Sequence, residues 1–584
     1  MPDHKIIAPD IFHVTIEALT TEGQGIARIP VTADDDTRGF TVFCEGLLPG
    51  EEAEIRVTSY KKKYALAECV RLIKTSPDRI EPYCPVYKPC GGCTLQHLKY
   101  EEQLHVKREH VVSCMTRIGR QPAALMESLT RPTIGMEIPY DYRNHMEYPV
   151  GETVKPEPAA DEASPSEKSV QAAEAALHLE AAPPAISLSR DLKIGLYGKK
   201  SHTIVPHDAC RLAHPACETV RRVTEQFCLI QGITGYDEAT GLGLLRHLIV
   251  RVGRKTGEVM VILVVNRSPE TELEYPTEAY AAEIALHLEK DREKQIRLQA
   301  ENAGNSESFP SFLLDRPWTL KSIWLNYNTT GARQGQIVSY RKENQRLLWG
   351  ARQITDQIGE NQYDISPLSF FQVNPLQTEK LYDTVRSYAL GQTASAAQPP
   401  CTNPEEKWPV DYDESGNTAP AVTCPEPTSA HAKIPVLVDL YCGAGTIGLH
   451  LAHQTEKIVG IESNESAVLD AIQNAAKNGV THATYRTAHA EKLSLSDFPE
   501  DTSCVILDPP RKGCDPALLT TLLSLYPPRI VYVSCDPATL ARDISLLTAG
   551  GYEIKAIQPV DMFPWTGHEF TFHRPGVEDR KSVV

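Results

Sequence analysis

The chain has 584 residues, 41% hydrophobic and 23% charged, with a formal net charge of −17. That length exceeds a single core and predicts roughly three or four domains. No run of eighteen apolar residues occurs that could span a bilayer, and the opening Met1-Pro-Asp-His-Lys5 has no apolar signal core, so a cytoplasmic, membrane-free protein is expected, with no protein partner evident and a monomer as the default. Fifteen cysteines without a secretion signal argue for thiols, metal ligation or catalysis rather than a disulfide framework. An acidic total argues against a nucleic-acid partner. However, residues 151–186 hold seven acidic side chains against two lysines and 392–433 hold six against two, so two tracts of unfolded composition carry −9 of the −17.

Residues 10–75 alternate apolar and polar positions over short runs, as in Phe12-His-Val-Thr-Ile-Glu17 and Ala53-Glu-Ile-Arg-Val-Thr58, with glycine-rich turns such as Glu22-Gly-Gln-Gly-Ile26 between them. Such spacing predicts a small OB-like β-barrel over residues 1–75. Lys61-Lys-Lys-Tyr64 adds a basic tip with an aromatic, a pairing that serves phosphate contact and base stacking, or simply a solvated hairpin. The pattern Glu22-Gly-x-Gly-Ile-Ala, Glu45-Gly-x-Leu-Pro-Gly-Glu and Lys61-Lys-x-Tyr-Ala resembles a TRAM domain, an RNA-binding barrel.

Next comes Cys84-Pro-Val-Tyr-Lys-Pro-Cys90-Gly-Gly-Cys93. Thiolates this dense repel one another unless a cation or cluster neutralises them. A fourth candidate is Cys210 in His207-Asp-Ala-Cys210, with Cys217 as its competitor. Four thiolates of this kind suit a [4Fe–4S] cluster, with a single zinc ion or unligated thiols as the alternatives. From Leu95 to Arg117 the apolar spacing predicts one helix. Tyr142–Val150, Leu192–Gly198, Leu244–Gly253 and Glu258–Val265 read as strands of a β-rich central domain over 76–365, interrupted by the acidic tract at 151–186. Arg143, Arg246, His247 and Arg251 on these strands are either ordinary charged positions or phosphate contacts.

Residues 366–584 alternate strands and helices as doubly wound α/β folds do, after Ser366-Pro-Leu-Ser-Phe-Phe-Gln-Val-Asn374 and a linker tract at 392–433. Asp439-Leu-Tyr-Cys-Gly-Ala-Gly445 is a strand running into a Gly-x-Gly turn without the third glycine of a dinucleotide fingerprint. The following strand ends in Glu462, an acid able to accept both hydroxyls of an adenosine ribose. Together they fit S-adenosylmethionine better than a dinucleotide, because no pyrophosphate has to be cradled. Val505-Ile-Leu-Asp508-Pro-Pro-Arg-Lys-Gly513 and Ile530-Val-Tyr-Val-Ser-Cys535-Asp-Pro are two more strands breaking into rigid turns. A cysteine beside Val533 is more often a buried small hydrophobe. At the carboxyl end of a strand in such a sheet, next to two similar loops, Cys535 is instead a candidate nucleophile.

Asp508-Pro-Pro-Arg-Lys-Gly513, then Ser534-Cys535-Asp-Pro-Ala-Thr539, then Asp561-Met-Phe-Pro-Trp-Thr-Gly-His568 resemble the RNA uracil-5-methyltransferase family. The TRAM-like start and the clustered cysteines resemble its 23S ribosomal-RNA branch. The resemblance implies that Cys84, Cys90, Cys93 and Cys210 hold a [4Fe–4S] cluster, that Gln372, Tyr441, Glu462 and Asp508 contact S-adenosylmethionine, and that Cys535 attacks uracil C6. It also implies a Rossmann-like methyltransferase domain over 366–584 acting on RNA.

Three departures concern the C-terminal end. The family has asparagine where Asp536 stands, a change expected to be tolerated. It places its catalytic glutamate two residues after the histidine of its last motif, whereas Glu569 directly follows His568, a slip that would reverse its face on a strand. No apolar closing strand is evident after Thr571, and Asp579-Arg-Lys-Ser-Val-Val584 is what a common sequencing-adapter stretch encodes up to its stop codon, so a reading frame altered near His568 is expected. Two other classes compete with this reading. One is an RNA-binding protein with an inactive methyltransferase domain. The other is a radical iron–sulfur enzyme, disfavoured because Cys84-x5-Cys90-x2-Cys93 is not Cys-x3-Cys-x2-Cys. Transfer RNA is the alternative substrate.

Overall fold

The computed structural model describes residues 11–20, 22–30, 39–153, 191–271, 275–301, 316–330, 337–392, 433–567 and 582–583. Most of both acidic tracts, and the tail at 568–581 with His568 and Glu569, lie outside the described residues, and so do the expectations placed on them.

The first sheet is a six-stranded barrel-like unit: β1 (Ile11–Thr15), β2 (Ala18–Leu19), β3 (Gln24–Ile29), β4 (Phe40–Glu45), β5 (Glu52–Tyr60) and β6 (Ala65–Lys74), in the order β1-β5-β6-β4-β3-β2. The period-2 alternation turns Phe12, Val14, Ile29, Val42 and Ile55 inward onto one core. Lys61–Lys63 form the exposed tip of the β5–β6 hairpin, flanked by exposed Tyr60 and Tyr64. Just before β5, Glu51 is fully buried and accepts from Arg79 Nε at 2.6 Å, Arg79 Nη2 at 2.7 Å and the Leu48 amide at 2.8 Å. Burial pushes the Glu51 carboxyl up, but Arg79 and the Leu48 and Ser76 amides outweigh it and hold the group below its ordinary value.

Helix α1 runs Tyr100–Arg117, five residues shorter than the spacing predicts, and is followed by α2 (Ala123–Leu129). The missing turn has a tertiary cause: the amides of Thr94 and Leu95 both donate to the Trp565 carbonyl at 3.1 Å, which draws this segment out of helical geometry. Helix α1 also buries Lys107 against Asp561, Nζ to Oδ1 at 2.6 Å.

The central sheet contains β7 (His145–Thr153), β8 (Asp191–Ile194), β11 (Leu245–Val252), β12 (Glu258–Val265), β13 (Thr319–Tyr327) and β14 (Gln345–Gly350), with the small pair β9 (Leu196–Tyr197) and β10 (Ile204–Val205) beside it. Its order is β14-β13-β12-β11-β7-β8, and only β12 and β13 run parallel. The strand expected from Tyr142 starts at His145 instead, because the Asp141 and Arg143 amides donate to the Arg211 and Leu212 carbonyls. Strand β12 reads as a continuous apolar run because both of its faces are covered. Val259, Val261 and Leu263 pack under helices α3 (Pro215–Ile230) and α4 (Thr277–Glu301), while Met260, Ile262 and Val264 join the core of the C-terminal half.

A hairpin of β15 (Ile354–Ile358) and β16 (Asn361–Ile365) and helix α5 (Pro375–Ala389) lead into the doubly wound sheet. This sheet comprises β17 (Ile434–Leu440), β18 (Thr455–Glu462), β19 (Ala483–Thr487), β20 (Cys504–Leu507), β21 (Ile530–Ser534) and β22 (Ser582–Val583), in the order β19-β18-β17-β20-β21-β22, with α6 (Thr446–His450), α7 (Glu465–Lys477), α8 (Pro516–Leu525) and α9 (Pro537–Ala549) as connections. The two residues of β22 pair antiparallel with β21, as an extended segment does when it meets an open sheet edge, while the rest of the tail, on which the expected lack of an apolar closing strand rests, lies outside the described residues. Asp536 caps α9, its carboxylate accepting from the Ala538 and Thr539 amides at 2.8 and 3.0 Å, so an acid does here what any short acceptor side chain can do.

Replacing Lys107 by Ala leaves the buried Asp561 carboxyl without its cationic partner. The expected cost is about 3–5 kcal/mol, read as a lowered denaturant midpoint for the transition that involves α1.

Candidate active site

In an open α/β sheet the crevice lies beyond the carboxyl ends of the strands, where the order reverses; here that point is between β17 and β20. The cavity there is about 920 Å³ and opens between the doubly wound sheet and one face of the central sheet. Cys535, Tyr441, Glu462 and Asp508, from four different strand ends, all line it.

Tyr441 begins the β17 turn at φ 60°, a left-handed conformation that a tyrosine adopts only when its surroundings enforce it. Gly443 and Gly445 continue the turn at φ 52° and 77°. A Cβ on Gly443 would meet nothing within 4 Å, whereas one on Gly445 would lie 2.9 Å from the Tyr485 hydroxyl. The turn is held from both sides. Asp439 Oδ2 accepts from the Gly448 amide at 3.0 Å, and Glu462 Oε2 accepts from the Gly443 amide at 3.2 Å. The other Glu462 oxygen accepts from the Asn464 amide at 2.8 Å, which fixes the carboxylate at the end of β18 while leaving lone pairs for further donors.

Gln372 does not reach the lining. It is buried behind the cavity, where its side chain meets the Tyr382 hydroxyl and its carbonyl accepts from Asn144 Nδ2 at 3.1 Å. The Cys442 and Cys504 side chains are buried in packing away from the cavity wall. Glu569 lies outside the described residues.

The opposite wall comes from the central sheet, and the alternation of a doubly buried sheet gave no sign of it. Trp324, Ile249, Arg251, His145 and Glu147 face the cavity. His145 Nε2 stands 3.5 Å from Glu147 Oε1, and burial, with Arg251 and Arg143 adding, holds the imidazole well below its ordinary value and therefore neutral. Arg251 donates to the Ser369 carbonyl at 2.6 Å, so it carries structure as well as charge. Arg246 donates to the Asn328 and Thr330 carbonyls at 2.7 and 2.6 Å and is buried, which removes it from phosphate contact. Lys342, Arg352, Arg511 and Lys512 supply positive charge around the cavity, and Tyr340 and Phe370 supply exposed rings.

Cys84, Cys90, Cys93 and Cys210 line a second cavity of about 510 Å³, which shares His145, Glu147 and Arg511 with the first. Cys217 does not; it lies in the core under β11 and β12. Burial raises all four thiols, and neighbouring thiols of the set add to the rise at Cys90, Cys93 and Cys210. As thiolates they therefore require compensating positive charge. Among the described residues, no three His, Cys, Asp or Glu side chains are gathered so as to hold a metal ion as placed.

The family model for tRNA (uracil-5-)-methyltransferase matches residues 428–571, and the TRAM domain model matches 10–70. An RNA methyltransferase of Halalkalibacterium halodurans is 34% identical over 96% of this chain and 95% of its own, and one of Clostridium acetobutylicum is 32% identical over 95% of each. The chain belongs to the RNA uracil-5-methyltransferase family. It is an S-adenosylmethionine-dependent RNA methyltransferase with an N-terminal TRAM domain. A crystal structure of Pyrococcus abyssi tRNA (uracil-54, C5)-methyltransferase with S-adenosyl-L-homocysteine covers 98% of this methyltransferase and all of the archaeal chain, at 23% identity and a TM-score of 0.59, so the two share a fold. In open α/β sheets generally, a glycine turn placed like the one after β17 lets a ligand come close to the backbone.

Gly443 and Gly445 separate binding from folding. Gly443→Ala, whose methyl enters open space but sits on a left-handed backbone at a cost of about 1–2 kcal/mol, is expected to weaken S-adenosylhomocysteine binding about tenfold while lowering the melting temperature by only a few degrees. Gly445→Ala, which meets Tyr485, is expected to lower both. Calorimetric titration and thermal melting check the pair.

Proposed function

We propose that this enzyme methylates C5 of a uridine in 23S ribosomal RNA through a covalent Cys535–C6 adduct. The observation that carries the reading is that Cys535 shares one cavity with Tyr441, Glu462 and Asp508.

Uracil C5 is too weak a nucleophile to attack a sulfonium methyl by itself. Bonding of the Cys535 sulfur to C6 moves the C5=C6 electrons onto C5 and O4, making C5 an enolate-like carbon. Bound S-adenosylmethionine supplies the electrophilic methyl group. Glu462 would orient its ribose hydroxyls, Tyr441 and the Gly443 turn its nucleoside, and Asp508, buried beside Cys535 in the cavity wall, its polar groups. Once C5 is methylated, a base takes its proton, the C–H electrons reform C5=C6, and the Cys535–C6 bond breaks to release the thiolate. Glu569 remains the candidate for that base. Cys535 lies between β21 and the capped start of α9, a helix end with partial positive charge.

The ribosomal target is supported by the basic hairpin of the barrel and by the four thiols around one cavity, the two features of that branch. A [4Fe–4S] cluster, whose irons each take one thiolate, suits thiols spread around a cavity better than a single ion does. Cys84, Cys90, Cys93 and Cys210 would hold it, and its positive irons would compensate their charge. Transfer RNA is the competing substrate, favoured by the match to the tRNA family model over 428–571. Mapping 5-methyluridine in ribosomal and transfer RNA from cells with and without the gene decides between them, and loss of the modification from transfer RNA alone overturns the ribosomal assignment.

A 5-fluorouridine RNA cannot release its C5 substituent as a proton, so the enzyme is expected to remain attached to it. The adduct should require S-adenosylmethionine, disappear in Cys535→Ala and persist in Cys442→Ala and Cys504→Ala on denaturing gels. Survival of the adduct without Cys535 would refute the nucleophile.

Anaerobically purified protein is expected to carry iron and acid-labile sulfide, with the visible absorbance bleached in Cys90→Ser. Colourless protein with one zinc and no iron rules the cluster out.

A further inference from the structure

The turn after β20 places Asp508, Pro509, Pro510, Arg511 and Lys512 in the wall of the active-site cavity. A proline-rich turn is stiff internally, but its position relative to the nucleophile has to come from elsewhere. The structure supplies an anchor in Asp543, which is fully buried on α9, the helix that starts immediately after Cys535.

Asp543 Oδ2 accepts from the Cys514 amide at 2.7 Å and from the Tyr532 hydroxyl at 2.6 Å. Its Oδ1 accepts from Arg542 Nε at 2.8 Å, and the same guanidinium donates through Nη2 to the Lys512 carbonyl at 2.9 Å and the Cys514 carbonyl at 3.3 Å. One carboxylate and one guanidinium thus cross-link the turn to the helix at three backbone groups. Gly513 lies pressed against them: at φ 76°, a Cβ there would come within 2.5 Å of Arg542 Nη2 and 2.6 Å of Asp543 Oδ2. The Cys514 side chain packs in one core cluster with Tyr532, and Tyr441 packs against that cluster.

We infer that Asp543 is a positioning residue for methyl transfer, holding the Asp508–Lys512 turn in register with the strand end that bears Cys535. These bonds join the turn after β20 and strand β21 to α9, so a shift of the helix moves the turn relative to Cys535. Asp543 does not line the cavity and acts through the turn. The inference rests on the family's methyl transfer alone, not on the choice of nucleophile or of ribosomal over transfer RNA.

The experiment is single-turnover transfer of labelled methyl from saturating S-adenosylmethionine to unmodified transcripts of ribosomal and transfer RNA, with S-adenosylhomocysteine binding and thermal melting measured on the same proteins. Asp543→Asn and Gly513→Ala are each expected to slow transfer about tenfold or more, as misplacement of a reacting wall does. Cofactor affinity should stay within about threefold of wild type, because the loss falls on the chemical step rather than on uniform binding. Tyr532→Phe should slow transfer in the same direction, and the Tyr532→Phe, Asp543→Asn double variant should be no slower than Asp543→Asn, as expected for members of one network. Where Asp543→Asn fails to fold, Gly513→Ala and Tyr532→Phe are judged by the same rate and affinity criteria. Wild-type rates in the folded variants, or rate losses matched by equal losses of cofactor affinity, overturn the inference.

Discussion

The arrangement depends on one buried carboxylate. Asp561 is fully enclosed and accepts from Lys107 Nζ at 2.6 Å, the Tyr100 hydroxyl at 2.9 Å and the Phe563 amide at 3.2 Å. A buried ion pair adds little over a well-packed apolar pair, but losing either partner is costly, so it permits few alternative seatings of the two segments. From this point the chain runs on to Trp565, whose carbonyl takes the Thr94 and Leu95 amides and whose indole Nε1 donates to the Pro139 carbonyl at 2.7 Å. The ring stacks on Tyr140 and meets Tyr83 edge-on. Residues more than 400 positions apart in sequence thereby hold the cysteine segment against the catalytic half.

That clamp explains why the two cavities share a wall. The central sheet lies between α3 and α4 on one face and the doubly wound domain on the other, and its strands divide their side chains between two separate cores. Where the second face is not filled by apolar contact, it becomes the far side of the active-site cavity. Strand β7 carries His145 and Glu147 past the thiol-lined cavity. The two cavities are therefore adjacent, with His145, Glu147 and Arg511 common to both.

Charge follows the same geometry. The protein is acidic in total, yet the cavity is edged by Lys342, Arg352, Arg511 and Lys512, and the barrel offers a basic hairpin tip with two exposed tyrosines. Phosphate attraction at physiological salt is felt over about one Debye length, so local patches of this kind set RNA contact more than net charge does.

The linear sequence was sufficient for whatever depends on spacing along one element. The barrel alternation, the strand that ends at Cys535, the Gly-x-Gly turn and the acid closing β18 are all local, because backbone geometry maps period onto face and chain breaks onto strand ends. It was also sufficient to group Cys210 with the earlier cysteines, through flanking residues rather than distance. What it could not decide were features made by pairing across the chain: that α1 starts only at Tyr100, that Gln372 turns toward Tyr382, that Arg246 is spent on carbonyls, and that Trp324 and Glu147 line the same cavity as Cys535. A strand buried on both faces shows no alternation of polarity, and a side chain's partner from another element leaves no periodic mark in its own, so these outcomes were decided only by tertiary packing.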